Sequence, residues 1–395
     1  VMMIEQRRST AAYVLLVAGF VVASLNLRPA LAGVSPLLDE IMRDLGLSPA
    51  AGGAVTTVMV VCLGVLAPLA PLFAGRIGLD RTLLAGLLIL ATGVVLRSSD
   101  GVAGLYAGAA VAGCAIAIMN VVMPAVVKQH FPERVGLFTG IYVSGLVVGA
   151  AGASGLMVPL ERATGQDWRV VAASIAVPAV AAALLWLPQA VRPAPRRGGN
   201  NGPRPYAALL RRRVTWYVTA FMGLQSLTFY VMLAWLPTIF VEAGLPADQA
   251  GYLLGLTNLA QVIATLTVPV HAGKAATQVP HVLGAALLTV VGYLGVWFLP
   301  TTVPWVWMLV LGVGQGASIA LALLIITLRA PDPASVTALS AVAQACGYVL
   351  AALGPLLIGL LRQLSGGWTL PLAVGVGFCL VQMAFGALAG RPPAR

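Results

Sequence analysis

Charge is what this sequence has least of. Only 9% of its 395 residues are Asp, Glu, Lys or Arg, against about a quarter in soluble domains. That shortage excludes an ordinary soluble enzyme or a disordered chain, because neither keeps so few ionised groups in water. Carboxylates are scarcer than bases, 12 against 23, and all of them fall near loops or the N-terminus. Histidine occurs three times and cysteine four. Cys62, Cys114, Cys346 and Cys379 stand in apolar stretches without ligand spacing, so they read as small buried hydrophobes and no metal site is expected. The sequence has no phosphate-binding Gly-rich loop ending in Gly-Lys-Ser/Thr, no Gly-x-Ser-x-Gly, no His-Glu-x-x-His and no Cys-x-x-Cys. No enzyme, no cofactor and no nucleotide-driven pump is therefore expected within this chain.

What fills the chain is hydrocarbon: 59% hydrophobic residues and a mean hydropathy of +0.95. A bilayer core needs about 20 apolar residues per helix. Twelve such runs lie near 12–37, 50–74, 81–97, 102–128, 134–160, 168–188, 214–241, 248–272, 279–299, 303–328, 334–361 and 367–390. The first begins after Arg7 and Arg8 and is too long for the apolar part of a signal peptide. The expected fold is an all-α membrane protein of twelve transmembrane helices.

The net charge of +11 invites a nucleic-acid reading, but sorting the bases by loop removes it. Of the 23 Lys and Arg, the N-terminus, the even-to-odd loops and the C-terminus hold 17, and the opposite loops hold five, Arg43, Arg97, Arg162, Arg169 and Arg362. That bias places both termini in the cytoplasm, across the cytoplasmic membrane of a bacterium. The remaining base, Arg28, lies inside the first run. Seven arginines between 192 and 213, among Pro, Gly and Asn, read as a solvated cytoplasmic tether with a possible anionic-lipid contact. The tether divides the chain into 1–190, a linker 191–213 and 214–395.

The two parts repeat. Pro71–Arg76 (PLFAGR) and Pro269–Lys274 (PVHAGK) close the second and eighth runs 198 residues apart. Gly46-Leu47 matches Gly244-Leu245 at the same offset, Phe131-Pro132-Glu133 matches Ala330-Pro331-Asp332, and Pro36 matches Pro237. Several matches at nearly one offset indicate a duplicated six-helix unit.

Two parallel six-helix repeats resemble the major facilitator superfamily, whose substrate path runs between the halves near the midplane. Gly75-Arg76-Ile77-Gly78 looks like the end of that superfamily's signature, although Pro71 and Gly75 replace its first Gly and its Asp. A closer resemblance is to the cyanate permease and 2-nitroimidazole transporter family. It is carried by Leu25-Asn-Leu-Arg-Pro-Ala30, Asn120-Val-Val-Met-Pro124 with Lys128, Gly136-Leu-Phe-Thr-Gly-Ile-Tyr142 and Gln344-Ala-Cys-Gly-Tyr348. The resemblance implies a secondary transporter working by alternating access, with helices 1, 4, 5, 7, 8, 10 and 11 around the cavity.

Arg28 is the strongest candidate for substrate contact. A guanidinium inside a bilayer is costly and normally faces a cavity or a partner, and its planar fork suits a carboxylate, a nitro-like group or a small anion. With no carboxylate near the midplane, a small anionic or nitro/cyanate-like solute would supply the counter-charge, and such an anion can bring a coupling proton of its own. Bracing the helix at Pro29, or snorkelling, is the structural alternative, and it goes with an exporter of neutral drugs or metabolites. A receptor or scaffold without transport is a more distant reading. Asn26, Asn120, Tyr142, Gln225, Tyr230, Asn258, Gln261, Gln315 and Gln344 are further candidates; Tyr348 is another polar residue in an apolar run. Interhelical hydrogen bonding is the plain alternative for each. Asn258 and Gln261 share a helix face, whereas Asn26 and Arg28, two apart, do not. Gly145, Gly149, Gly152 and Gly155 form a small-residue stripe for close helix packing.

Overall fold

A computed structural model describes residues 10–99, 101–193 and 205–392. Arg7, Arg8, Arg395 and the tether's Arg196, Arg197 and Arg204 lie outside the described residues. Among those described there are no strands, and twelve helices are long and apolar enough to span a membrane. The first six are Thr10–Ala32, Ala54–Ile77, Leu79–Arg97, Gly101–His130, Pro132–Thr164 and Trp168–Val191. The last six are Arg213–Glu242, Tyr252–Lys274, Val279–Phe298, Pro304–Arg329, Pro333–Ser365 and Thr369–Gly390. They are numbered 1 to 12 below.

The repeat seen in the sequence recurs in the packing. In the first six, helix 1 packs on 5 and 6, helix 3 on 4 and 6, and helix 2 on 4; in the last six, 7 packs on 11 and 12, 9 on 10 and 12, and 8 on 10. Gly46 and Gly244 end their helices at φ 64° and 103°, which an L side chain resists. In both, the following leucine closes a Schellman turn, Leu47 N–H to Met42 O at 2.9 Å and Leu245 N–H to Phe240 O at 3.0 Å. Helices 4 and 10 are the most enclosed, so they form the centre of each set.

Helix 1 is not continuous. It runs from Thr10 to Leu25, breaks at Asn26–Arg28 and resumes over Pro29–Ala32. Pro29 has no N–H to continue the ladder, but at the first position of the new turn it is favourable. Arg28 caps that turn at φ −129°, and its carbonyl accepts from Leu31 and Ala32 at 3.0 Å. The break is seated against helix 5 because Gly145 and Gly149 leave room: a Cβ on Gly145 would stand 2.7 Å from Ser24 Cβ, and one on Gly149 would collide with the Leu25 carbonyl. Gly152 and Gly155, the rest of the stripe, face open space. Close packing by the stripe is thus confined to its first half.

The two sets meet near the end that carries the termini. Gly136, Gly140 and Gly273 let helices 5 and 8 touch backbone to backbone, and Ser144 Oγ and Thr265 Oγ1 lie 2.7 Å apart. On the other flank Lys128 Nζ donates to Thr327 O at 3.4 Å, and helix 11 packs on helices 2 and 4.

Candidate functional site

The break in helix 1 turns Arg28 toward the junction of the two sets. There it lines a small cavity with Asn120, Tyr142, Gln225, Tyr230, Gln344 and Tyr348, closed by apolar side chains of helices 5, 7 and 10. Tyr142, Tyr230 and Tyr348 surround the guanidinium, and the Tyr348 hydroxyl is within hydrogen-bonding reach of it. Arg28 is the only charged residue among the lining residues. Three aromatic hydroxyls soften the isolated charge but do not neutralise it.

The amides are fixed by the protein. Gln344 Nε2 donates to Asn120 O and to Ser340 Oγ, both at 2.9 Å, so it also joins helix 11 to helix 4. Gln225 Nε2 donates to Ser226 Oγ at 2.8 Å. The Tyr142 hydroxyl is buried without a partner among the described residues. Such an orphan is costly, and its place beside Arg28 makes it available to a solute.

Not every candidate converges there. Gln261 and Gln315 line an adjoining void that also reaches Arg28 and Gln225, and Gln315 Nε2 is buried with no described partner. Asn258 lies further along, in a third void with Gln261 and Gln315. Asn26 does not reach any of these. It is buried and donates from Nδ2 to Val22 O at 2.7 Å and to Pro178 O at 3.0 Å, tying helix 1 to helix 6. Two residues from Arg28 across the break in helix 1, it faces the other way.

Each of the three voids holds about 10 to 20 Å³, enough for a water or two and far below the roughly 300 Å³ of a ligand pocket. Loading a solute therefore requires the helices around Arg28 to part. Arg28, Phe229 and Tyr230 retain partial exposure, whereas Asn120, Tyr142, Gln225 and Gln344 do not.

Sequence reasoning missed a second membrane-embedded arginine. Arg97, counted there among the loop cations, is 2% exposed and donates from Nη1 to Ala30 O at 2.6 Å. Gly108 accommodates it, since a Cβ there would overlap the Arg97 backbone. Its position at the end of an apolar run gave no sign of burial; the glycine on the facing helix was the available signal.

The family model for the Major Facilitator Superfamily matches residues 14–355. The chain is 36% identical to the 2-nitroimidazole transporter of Escherichia coli (strain K12) over 381 residues, 96% of each chain. It is 30% identical to the cyanate transport protein CynX of the same strain, over 92% of this chain and 95% of that one. Among solved structures it is similar to the proton:xylose symporter XylE, bound to 6-bromo-6-deoxy-D-glucose. The TM-score is 0.75 at 14% identity, covering 97% of this chain and 95% of that one. The chain belongs to the major facilitator superfamily and is a multi-pass membrane transporter.

Proposed function

We propose that this superfamily member carries a small anionic or nitro/cyanate-like organic solute across the cytoplasmic membrane by alternating access, with Arg28 as the group that holds it. One observation carries the reading: Arg28 is the sole charge among the side chains lining the voids at the junction of the two six-helix sets, and no carboxylate lines them. A bound anion supplies the missing counter-charge through charge-assisted hydrogen bonds. The names of the relatives, a 2-nitroimidazole transporter and a cyanate transport protein, support the same class. Asn120, Tyr142, Gln225, Tyr230, Gln261, Gln315 and Gln344 complete the site, and residues 1–190 and 214–395 act as the two rocking halves. Both termini are cytoplasmic by the distribution of Lys and Arg, so the contacts between helices 5 and 8 close the cytoplasmic side. With no carboxylate or imidazole among the lining residues, a coupling proton would travel on the solute.

The test is thermal stabilisation and proteoliposome flux with cyanate, nitroimidazoles and small carboxylates, using the wild-type chain and Arg28→Ala. Loss of a charged hydrogen-bonding group predicts affinity lower by roughly 10- to 100-fold, with Arg28→Lys retaining part. Normal anion binding or flux by Arg28→Ala overturns the proposal and favours a carrier of neutral compounds.

A further inference from the structure

A cavity much larger than the voids at Arg28 lies at the end of the bundle that carries the termini. It encloses about 710 Å³ between the turn joining helices 2 and 3, the ends of helices 4 and 6 and the start of helix 11. Four bases line it, Arg76, Arg81, Lys128 and Arg192, with two acids, Asp80 and Asp332. Both acids are engaged. Asp80 takes His130 Nε2 at 2.6 Å and Gln129 Nε2 at 3.1 Å, and Asp332 caps helix 11 by accepting from Ser335 N–H and Oγ–H at 3.0 and 2.8 Å. Arg81 Nε donates to Ala190 O at 3.1 Å. Among the described residues, none of Arg76, Lys128 and Arg192 forms an ion pair with a carboxylate.

The repeat supplies an internal control. A second cavity of about 400 Å³ occupies the equivalent place in the other set, between the end of helix 8 and the start of helix 5. There Lys274 stands where Arg76 does, but Thr327 replaces Lys128 and Val279 stands near the place of Arg81. Its charged lining residues are two bases, Arg134 and Lys274, and one acid, Glu133. A chain that only needed positive loops for topology would not require one such basin to be larger and more basic than its mate.

The surroundings of the larger basin indicate the source of an anion. Leu72, Phe73 and Ile77 of helix 2 and Leu184, Leu187 and Val191 of helix 6 are all exposed beside it. These exposed residues run along helices 2 and 6 away from the basic rim. We infer that this basin binds the phosphate headgroup of an acidic phospholipid, with its acyl chains along helices 2 and 6. Because Arg76 belongs to the first set and the Asp332–Ala334 turn to the second, a lipid held there spans both. It would favour the conformation in which these ends are together.

The purified full-length chain in nonionic detergent provides the test, read as the apparent unfolding midpoint against added phosphatidylglycerol. Phosphatidylcholine and inorganic phosphate are the comparison arms. Phosphatidylglycerol is expected to raise the midpoint saturably, phosphatidylcholine and phosphate not. Since each base near a lipid surface contributes about 1 kcal/mol, Arg76→Gln with Arg192→Gln is expected to weaken the response roughly 20- to 30-fold. Lys274→Gln, in the mate cavity, should leave it unchanged. In the wild-type chain the response should fade between low and high salt. An undiminished response in the double variant, an equal loss in Lys274→Gln, or equal stabilisation by phosphatidylcholine or by phosphate would each overturn the inference.

Discussion

At the end away from the termini, the two six-helix sets carry the same three-group cluster. Asp44 accepts from Trp168 Nε1 at 3.1 Å and pairs with Arg169 at 2.7 Å, whose guanidinium lies 4.7 Å over the Trp168 ring. Glu242 accepts from Trp368 Nε1 at 2.6 Å and pairs with Arg362 at 2.9 Å, with the cation 5.3 Å over Trp368. At the opposite end the sets have diverged: Asp80 meets His130 in the first, and Gln278 meets Arg329 at 2.6 Å in the second. Divergence is greatest in the middle. Helix 1 breaks at Arg28, while helix 7 runs unbroken through Phe229 at the corresponding place. Ends that only tie helices together tolerate the same solution twice. The middle carries one buried charge, Arg28, in the first set and an apolar Phe229 at the matching place in the second.

The largest expected effect lies where the sets differ most. Arg28→Ala should lower anion affinity roughly 10- to 100-fold, whereas Phe229→Leu, which keeps an apolar wall, should change it less than about threefold. Equal effects from both would remove the distinction between a charged first set and an apolar second one. Next comes Arg97, which anchors the resumed turn of helix 1 through Ala30 O. Phe298, the residue that ends helix 9, is instead 64% exposed. Arg97→Met leaves a buried carbonyl unpaired and should cost about 1–3 kcal/mol of stability, with a parallel loss of anion binding as Arg28 shifts. Phe298→Leu should stay within about 0.5 kcal/mol. A stable Arg97→Met chain with normal binding would show that the break holds itself in place.

The twelve helices, the repeat and the break at Pro29 were legible in the sequence because each is written in hydropathy, proline or a fixed offset. Side-chain direction was legible only in part. Asn26 and Arg28 occupy one tetrapeptide, yet the non-helical break over 26–28 sends the amide to helix 6 and the guanidinium to the cavity. Tyr348 stands beside Gln344 in the motif, but only the packing of helix 11 on helix 4 brings its hydroxyl to Arg28. Arg97 was hidden for a different reason. A base ending an apolar run looks like a topological marker until Gly108, on the facing helix, draws it inward.

The ends near the termini offer a smaller contrast. Arg329 donates to Ala389 O at 3.0 Å, Gly390 O at 2.9 Å and Gln278 Oε1, closing the end of helix 12. In the first set Arg81 makes one such bond, to Ala190 O. Arg329→Met should therefore destabilise the chain by about 2–3 kcal/mol and Arg81→Met by about 1 kcal/mol, read as unfolding midpoints at one lipid concentration. The reverse order would mean that hydrogen bonds to helix ends do not set the strength of these clamps.

The smallest effect concerns a carboxyl with no counterpart in the second set, Glu40 on the short helix Leu38–Leu45, where Thr238 stands at the matching place. Glu40 hydrogen-bonds to Glu161 of helix 5, which pushes the Glu40 carboxyl up to about 7. Asp44 of the same short helix is held below the usual carboxylate range by the bond from Trp168 and then by Arg169, so it stays ionised while Glu40 titrates. A carboxyl that binds its proton more tightly in the folded chain stabilises the fold fully below its ordinary value near 4.5, and that contribution is lost as pH rises through about 7. Glu40 is nearly exposed, so solvent screening keeps the contribution under about 1 kcal/mol. The apparent unfolding midpoint should fall slightly between pH 5.5 and 8.5 in the wild-type chain, and this slope should flatten in Glu40→Gln. An unchanged slope in that variant would mean that the two carboxyls do not share a proton, and that this end of the first set responds to pH no differently from the matching end of the second.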